Sequence, residues 1–113
     1  MIRFTTFKVG NEEYKLRLTS RSIVDIEQKL GKSIFYSLEH IQDNLVGTVT
    51  AILWGSMQAF NTGITSEKTF ELYDQYIDEG NSVEDMMQVI LDLFEVSGFF
   101  KKGQKESLTL NQI

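Results

Sequence analysis

The chain has 113 residues, 42% of them hydrophobic, and a formal net charge of −5, which fits one globular domain with its own core. It contains no cysteine, which excludes a disulfide framework, a catalytic thiolate and a cysteine metal site. It also contains no proline, so long helices can run without interruption.

The charge is unevenly distributed along the sequence. Residues 1–40 carry a net charge of +2, residues 41–98 carry −9 with Lys68 as the one basic side chain, and residues 99–113 carry +2. An acidic middle disfavours binding to a phosphate backbone, so we expect no nucleic-acid partner. It favours a protein with a basic surface, or contact between oppositely charged zones of neighbouring copies.

The N-terminal residues predict a β-hairpin with strands over 2–9 and 13–18, joined by a turn at Gly10-Asn11. In the second strand, the apolar side chains of Tyr14, Leu16 and Leu18 alternate with charged ones. Phe4, Leu16 and Leu18 are expected to rest on helices, because a lone hairpin is marginal in water.

The first strand is less regular than the second. In a regular strand, Ile2 and Phe4 would lie on one face and Phe7 and Val9 on the other. A bulge near Thr5–Thr6 is therefore expected, because it would bring all four to the same face. The outer edge of the hairpin should stay free to pair with another chain.

Two helices are expected next. The first is capped by Thr19 or Ser20 and ends at Gly31, with an apolar stripe of Ile23, Ile26 and Leu30. Ser33 then caps a short amphipathic helix that carries Phe35, Leu38 and Ile41.

Residues 44–66 form the longest stretch without charge, between Asp43 and Glu67. Apolar side chains recur there at helical spacing, which predicts a helix buried on more than one face. A row of small residues recurs every fourth position and would let a second backbone approach closely: Gly47, Ala51, Gly55 and Ala59. Polar residues interrupt the stretch and no Lys or Arg cluster flanks it, so we do not expect it to cross a membrane.

Two further helices complete the domain. The fourth starts at Thr65 or Ser66, with a predicted stripe of Phe70, Tyr73 and Ile77, and ends at Gly80-Asn81. The fifth starts at a capping box of Ser82 and Asp85, ends at Gly98, and has the most regular amphipathic pattern in the chain, formed by Val83, Met86, Met87, Ile90, Leu91 and Phe94.

The expected fold is therefore mainly α, of the α+β type: an N-terminal β-hairpin followed by about five helices packed around the central buried helix. Residues 1–100 are expected to form a single domain and residues 101–113 a mobile tail. The N-terminal sequence has no apolar run typical of a signal peptide, so a cytoplasmic location is expected.

The chemistry-bearing residues do not form a recognisable active site, so no catalytic residue, metal ligand or cofactor is expected. His40, the one histidine, lies beside Glu39 and is interpreted as a surface or half-buried side chain. Glu71, Asp74 and Asp78 form an acidic row on the fourth helix, either a solvated face or a site for a basic partner.

Apolar residues near the C-terminus are the other candidates for partner binding. Met86 and Met87 belong either to the core or to an adaptable groove, and Ile90 and Phe94 lie in the same stripe. Phe99 and Phe100 either fold back on the core or form an exposed anchor.

Residues 14–38, YKLRLTSRSIVDIEQKLGKSIFYSL, resemble the start of tail assembly chaperones of long-tailed phages and prophages of Gram-positive bacteria. In that family a hairpin runs into an LR(L/F)T(S/T)R motif, here Leu16 to Arg21, and a helix then ends in LE(K)KLG, here Ile26 to Gly31. The likeness extends more loosely over about the first 100 residues.

The resemblance implies a non-enzymatic protein that binds the tape measure protein, promotes assembly of tail tube subunits around it, and is absent from the mature virion. It also implies a programmed frameshift near the 3′ end of many such genes, with which the codons for Phe99 to Lys102 would be compatible. We expect self-association as well, from the small-residue row and the free strand edge.

Two alternatives belong to other classes. One is a structural head–tail or tail completion protein that remains in the phage particle. The other is a small regulatory DNA-binding protein, because Thr19 to Ser33 loosely fits a helix-turn-helix. An enzyme is disfavoured, since no nucleophile lies near a base in the pattern.

Overall fold

The computed structural model describes residues 3–99, and these residues form a two-stranded antiparallel hairpin followed by five α-helices. The elements, in chain order, are β1 (Thr5–Val9), β2 (Glu12–Leu16), α1 (Ser20–Leu30), α2 (Ile34–Glu39), a 3₁₀ turn (Ile41–Asp43), α3 (Leu45–Met57), α4 (Ser66–Asp78) and α5 (Val83–Val96). The predicted fold class is confirmed. The expected tail, residues 101–113, lies outside the described residues.

The hairpin is shorter and more regular than its sequence predicts. Its register runs without interruption from Thr5 opposite Leu16 to Val9 opposite Glu12, so the expected bulge at Thr5–Thr6 is wrong. Strand pairing starts only at Thr5. Phe4 lies outside the strand, so its side chain does not have to lie on the same face as that of Phe7. Phe4 is 37% exposed, whereas Phe7, Val9 and Leu16 face the core.

The chain leaves the hairpin through backbone bonds to helices. Beyond Leu16, the Arg17 N–H donates to the Ser56 carbonyl at the end of α3, and the Leu18 N–H donates to Ser97 Oγ after α5. Leu18 is buried, as predicted, although it lies outside the strand.

Helix α1 begins and ends at the predicted residues. Thr19 Oγ1 accepts a hydrogen bond from the Ser22 N–H at 3.1 Å, which satisfies one donor of the first turn. Gly31 has φ = 74°, a left-handed conformation that favours glycine, and its N–H donates to the Glu27 carbonyl. Ile26 is fully buried.

Helix α2 is capped by Ser33, as predicted, and Leu38 and Ile41 of the predicted stripe are buried. Ile34 and Leu38 are buried, whereas Phe35 is 54% exposed and was wrongly assigned to the apolar stripe. Phe35 instead lies at the surface against Phe99, with 5.5 Å between ring centroids.

Helix α3 is the centre of the domain, with nine of its thirteen residues buried, so the prediction of burial on more than one face is confirmed. It packs against α1, α4, α5 and β2. The helix ends at Met57, and Gln58 stabilises the turn that follows: its side chain donates to the Ile64 carbonyl and accepts from the Gly63 N–H.

The buried face of α4 also differs from the predicted one. Thr69, Leu72 and Tyr76 are buried, whereas Phe70 is 43% exposed. The predicted burial of Phe70 is therefore wrong. The polar Thr69 can be buried because its hydroxyl donates to the Thr65 carbonyl at 3.0 Å. Tyr73 and Ile77 of the predicted stripe are half-buried.

Helix α5 starts with the predicted capping box. The Ser82 side chain accepts from the Asp85 N–H at 3.0 Å, and the Asp85 carboxylate accepts from the Ser82 N–H at 2.8 Å. After the helix, Gly98 adopts a φ of 87°. Within residues 3–99, no helix is both long enough and apolar enough to span a bilayer.

Candidate partner-binding surface

Three of the α5 residues predicted to bind a partner lie in the core. Met86, Ile90 and Phe94 are each 0% exposed, because α5 packs this face against β1 and α3. Met87 is half-buried at the edge of the same cluster. Of these four side chains, only Met87 reaches the surface of the folded domain.

Phe99 folds back onto the domain. Its ring meets Phe94 edge-on at a centroid distance of 5.0 Å, and its N–H donates to the Phe94 carbonyl. Of the two readings for this pair, the structure therefore supports core packing for Phe99. Phe100 lies outside the described residues.

The predicted acidic row on α4 is at the surface. Glu71, Asp74 and Asp78 are all exposed, and their spacing of three and four residues aligns them along one face of the helix. Among residues 3–99, no hydrogen bond or ion pair joins these three carboxylates to another side chain; the ion pair in this part of the chain is Arg21–Asp25. The row therefore presents uncompensated negative charge.

The described residues hold no group of three His, Cys, Asp or Glu side chains arranged to bind a metal ion. His40 is exposed, and its Nδ1 lies 2.9 Å from the Tyr36 carbonyl while its ring stacks on the Tyr36 ring at 4.0 Å. This placement agrees with the surface position expected from the sequence.

An open groove of about 380 Å³ lies between α1, α3 and α4. Its lining contains no acidic residue, but Phe70, which lines it, directly precedes Glu71 of the acidic row on α4. The groove lining combines small, apolar and uncharged polar side chains with a single lysine: Lys29, Leu30, Asn44, Gly47, Thr50, Ala51, Ser66 and Phe70. Gly47 and Ala51, two members of the small-residue row, lie in this lining. The other two differ: Gly55 packs against Ile26 of α1, and Ala59 is exposed beyond the end of α3.

Phe70 forms the α4 side of the groove, and 43% of its surface is open to solvent. On the α1 side, Lys29 donates from Nζ to Ser66 Oγ at 2.7 Å, and its ammonium lies 4.4 Å from the Trp54 ring centroid. The groove lysine is thus already engaged within the domain.

The sequence did not point to this groove, because it depends on the distance between three helices. The available signal was local: Phe70 is the one aromatic residue between the acidic residues Glu67 and Glu71.

The hairpin edge, another predicted contact, pairs with no third strand within residues 3–99. Its turn is held against α4, because the Gly10 N–H donates to the Glu79 carboxylate at 3.0 Å. β1 packs on α4 and α5, and β2 packs on α3.

The sequence matches a family of unknown function (DUF6096) from residue 3 to residue 112. The chain belongs to the DUF6096 family. No curated protein and no solved structure matches it significantly. In this DUF6096 protein, the features suited to binding another polypeptide are the groove and the acidic row beside it.

Proposed function

We propose that this DUF6096 protein is a tail assembly chaperone of long-tailed phages or prophages, which binds the tape measure protein and promotes tail tube assembly in the host cytoplasm. The resemblance of residues 14–38 to that family supplies the specific role. The observation that carries a protein-binding role is the open groove bordered by the exposed Phe70, next to the unpaired carboxylates of α4.

The structural setting of the motif residues is compatible with this proposal. Leu16 ends β2 in the core, Thr19 caps α1, and Gly31 stops it, so the segment forms the hairpin-to-helix unit that the resemblance implies. These positions have structural roles, and the partner-binding residues must therefore lie elsewhere on the domain.

The charge distribution disfavours the DNA-binding alternative. Residues 41–99, which contain α3, α4 and α5, carry a net charge of −9, which would repel a phosphate backbone. Self-association of the chaperone stays a prediction, based on the hairpin edge.

Co-expression tests the proposal directly. The protein is produced together with the very long helical protein encoded downstream in the same genome, and the soluble yield of that protein is measured. An increase is expected, because a chaperone covers apolar helical surface before assembly. The control is an unrelated small protein of similar net charge, and an equal yield with both proteins would contradict the proposal.

Mass spectrometry of purified virions separates the chaperone from a structural tail component. A chaperone is expected in lysates of infected cells and absent from the particle. Detection at a fixed stoichiometry in the particle would favour the tail completion protein instead.

A further inference from the structure

We propose that the groove between α1, α3 and α4 binds an amphipathic helix with a basic face, with Phe70 contacting its apolar side and the α4 acidic row contacting its cations. This inference rests on the protein-binding role proposed above and assigns it to one surface. It also specifies the chemistry of the partner.

The shape of the groove fits a helix. Ala51 of α3 lines the groove between Leu30 of α1 and Phe70 of α4, whereas the side chain of Asn44 covers Gly47 one turn before it. The lining contains no strand residue, so an extended segment would find no ladder to join. A helix satisfies its own backbone groups except at its ends, so it can enter the groove without a ladder.

The position of the acidic row selects the charge of that helix. At 3.6 residues per turn, Asp74 lies about 40° around α4 from Phe70, and Glu71 and Asp78 lie about 80–100° away. All three lie on the same side of Phe70, so a helix that contacts Phe70 with its apolar face brings one flank of that face next to carboxylates. Lysine or arginine at that flank would relieve the repulsion within the row.

Within residues 3–99, no basic side chain forms an ion pair with the acidic row. Lys68 is the one basic residue between positions 41 and 99, against ten acidic residues. Lys29, the cation that lines the groove, is engaged with Ser66 and Trp54. A second copy of the chain would offer residues 1–40 with a net charge of only +2, so a strongly basic partner is the better match.

Two synthetic peptides of about 18 residues, or five helical turns, test the proposal on the full-length protein. One carries leucine on one face and lysine on the other, and its counterpart replaces every lysine by glutamate. Binding is measured by anisotropy of the labelled peptide and by the emission of Trp54, the one tryptophan, which lies under the groove lysine. The lysine peptide is expected to bind at least about tenfold more tightly than its counterpart at low salt.

Matched variants locate the binding surface. Phe70→Ala is expected to weaken binding of the lysine peptide about fivefold or more, and the combined E71Q/D74N/D78N about tenfold. The controls are Val83→Ala, which truncates a similarly exposed apolar residue of α5, and E12Q/E13Q/E39Q, which removes three exposed carboxylates elsewhere. Both controls are expected to bind within about twofold of the unsubstituted protein.

Several results would overturn the proposal. They are equal binding of both peptides, no detectable binding of the lysine peptide, or equal losses in the groove variants and their controls. Tighter binding of a synthetic 101–113 peptide would make the protein's own C-terminal segment the occupant, and a sedimentation dimer abolished by Phe70→Ala would make it a second copy. The co-expression test is independent: a gain in solubility that survives Phe70→Ala would leave the chaperone proposal standing and refute the groove.

Discussion

Gly55 of α3 lies directly against Ile26 of α1, so closely that a Cβ atom at position 55 would overlap the Ile26 side chain. Ile26 is 0% exposed, so any shift that relieves the overlap takes place inside the packed core. The contact explains how the central helix and α1 pack together, and it assigns a role to one member of the small-residue row.

Gly55→Ala is therefore expected to destabilise the protein. Overpacking a core costs about 1–3 kcal/mol, and the better helix propensity of alanine offsets about 1 kcal/mol of that. The net loss of up to about 2 kcal/mol should appear as a lower urea midpoint with an unchanged m-value.

Gly47→Ala is the matched control for Gly55→Ala, in the same helix. A Cβ there would meet only the side chain of Asn44, which is exposed and can move away. We expect no loss of stability, and a gain of up to about 1 kcal/mol from helix propensity. Equal urea midpoints for the two alanine variants would contradict the packing argument.

Ser82→Ala is expected to lower the free energy of unfolding by about 1 kcal/mol, because the capping box of α5 loses the acceptor for the Asp85 N–H. Asn44→Ala is the comparison, since Asn44 occupies the N-cap position of α3 but its side chain makes no capping hydrogen bond. Thermal unfolding of both variants should show a clear decrease for Ser82→Ala and a smaller one for Asn44→Ala. The reverse order would mean that the cap geometry is wrong.

Local signals in the sequence were sufficient to predict where the helices begin and end. Thr19, Ser33, Thr65 and Ser82 each accept a bond from a backbone N–H two or three residues ahead, and Gly31 ends α1. A capping hydrogen bond joins residues only a few positions apart, so the local sequence is enough to predict it.

Which face of a helix is buried depends on residues far away in the sequence, and here the pattern failed. Phe70 of α4 was expected in the buried stripe but is exposed, and Thr69 is buried instead, because α4 meets β1 through Tyr76 and Phe7, whose rings lie 5.1 Å apart. The groove was not predicted for the same reason. Its lining comes from three helices, and only their packed arrangement creates it.

Phe99→Ala is expected to destabilise the domain by about 1–2 kcal/mol, because the ring contacts both Phe94 and Phe35. Phe70→Ala should cost less than about 1 kcal/mol, since much of that ring faces solvent in the groove. Urea unfolding of the two variants distinguishes an aromatic side chain that stabilises the fold from one that is free to bind a partner. A larger loss for Phe70→Ala would show that Phe70 is structural and would weaken its assignment to the groove.

Burial raises the pKa of the Tyr76 phenol above its usual value of 10.0, and the negative charge of Asp85 raises it further. The unfolded chain therefore releases this proton at a lower pH than the folded protein. The contribution to stability is complete below pH 10 and is lost as the pH rises through the raised pKa of the folded state. Tyr76→Phe removes the titrating group, so the stability advantage of the unsubstituted protein over this variant should shrink as the pH rises above about 10.

Tyr36→Phe is the control for this alkaline effect, because Tyr36 is 43% exposed and its removal leaves Tyr76 in place. The other ionisable groups are common to the compared proteins, and comparing variants cancels their contribution. Urea unfolding at pH 8 and pH 11 should give a larger pH-dependent difference for Tyr76→Phe than for Tyr36→Phe. A constant difference for both variants would mean that the Tyr76 phenol is as well solvated in the folded protein as in the unfolded chain.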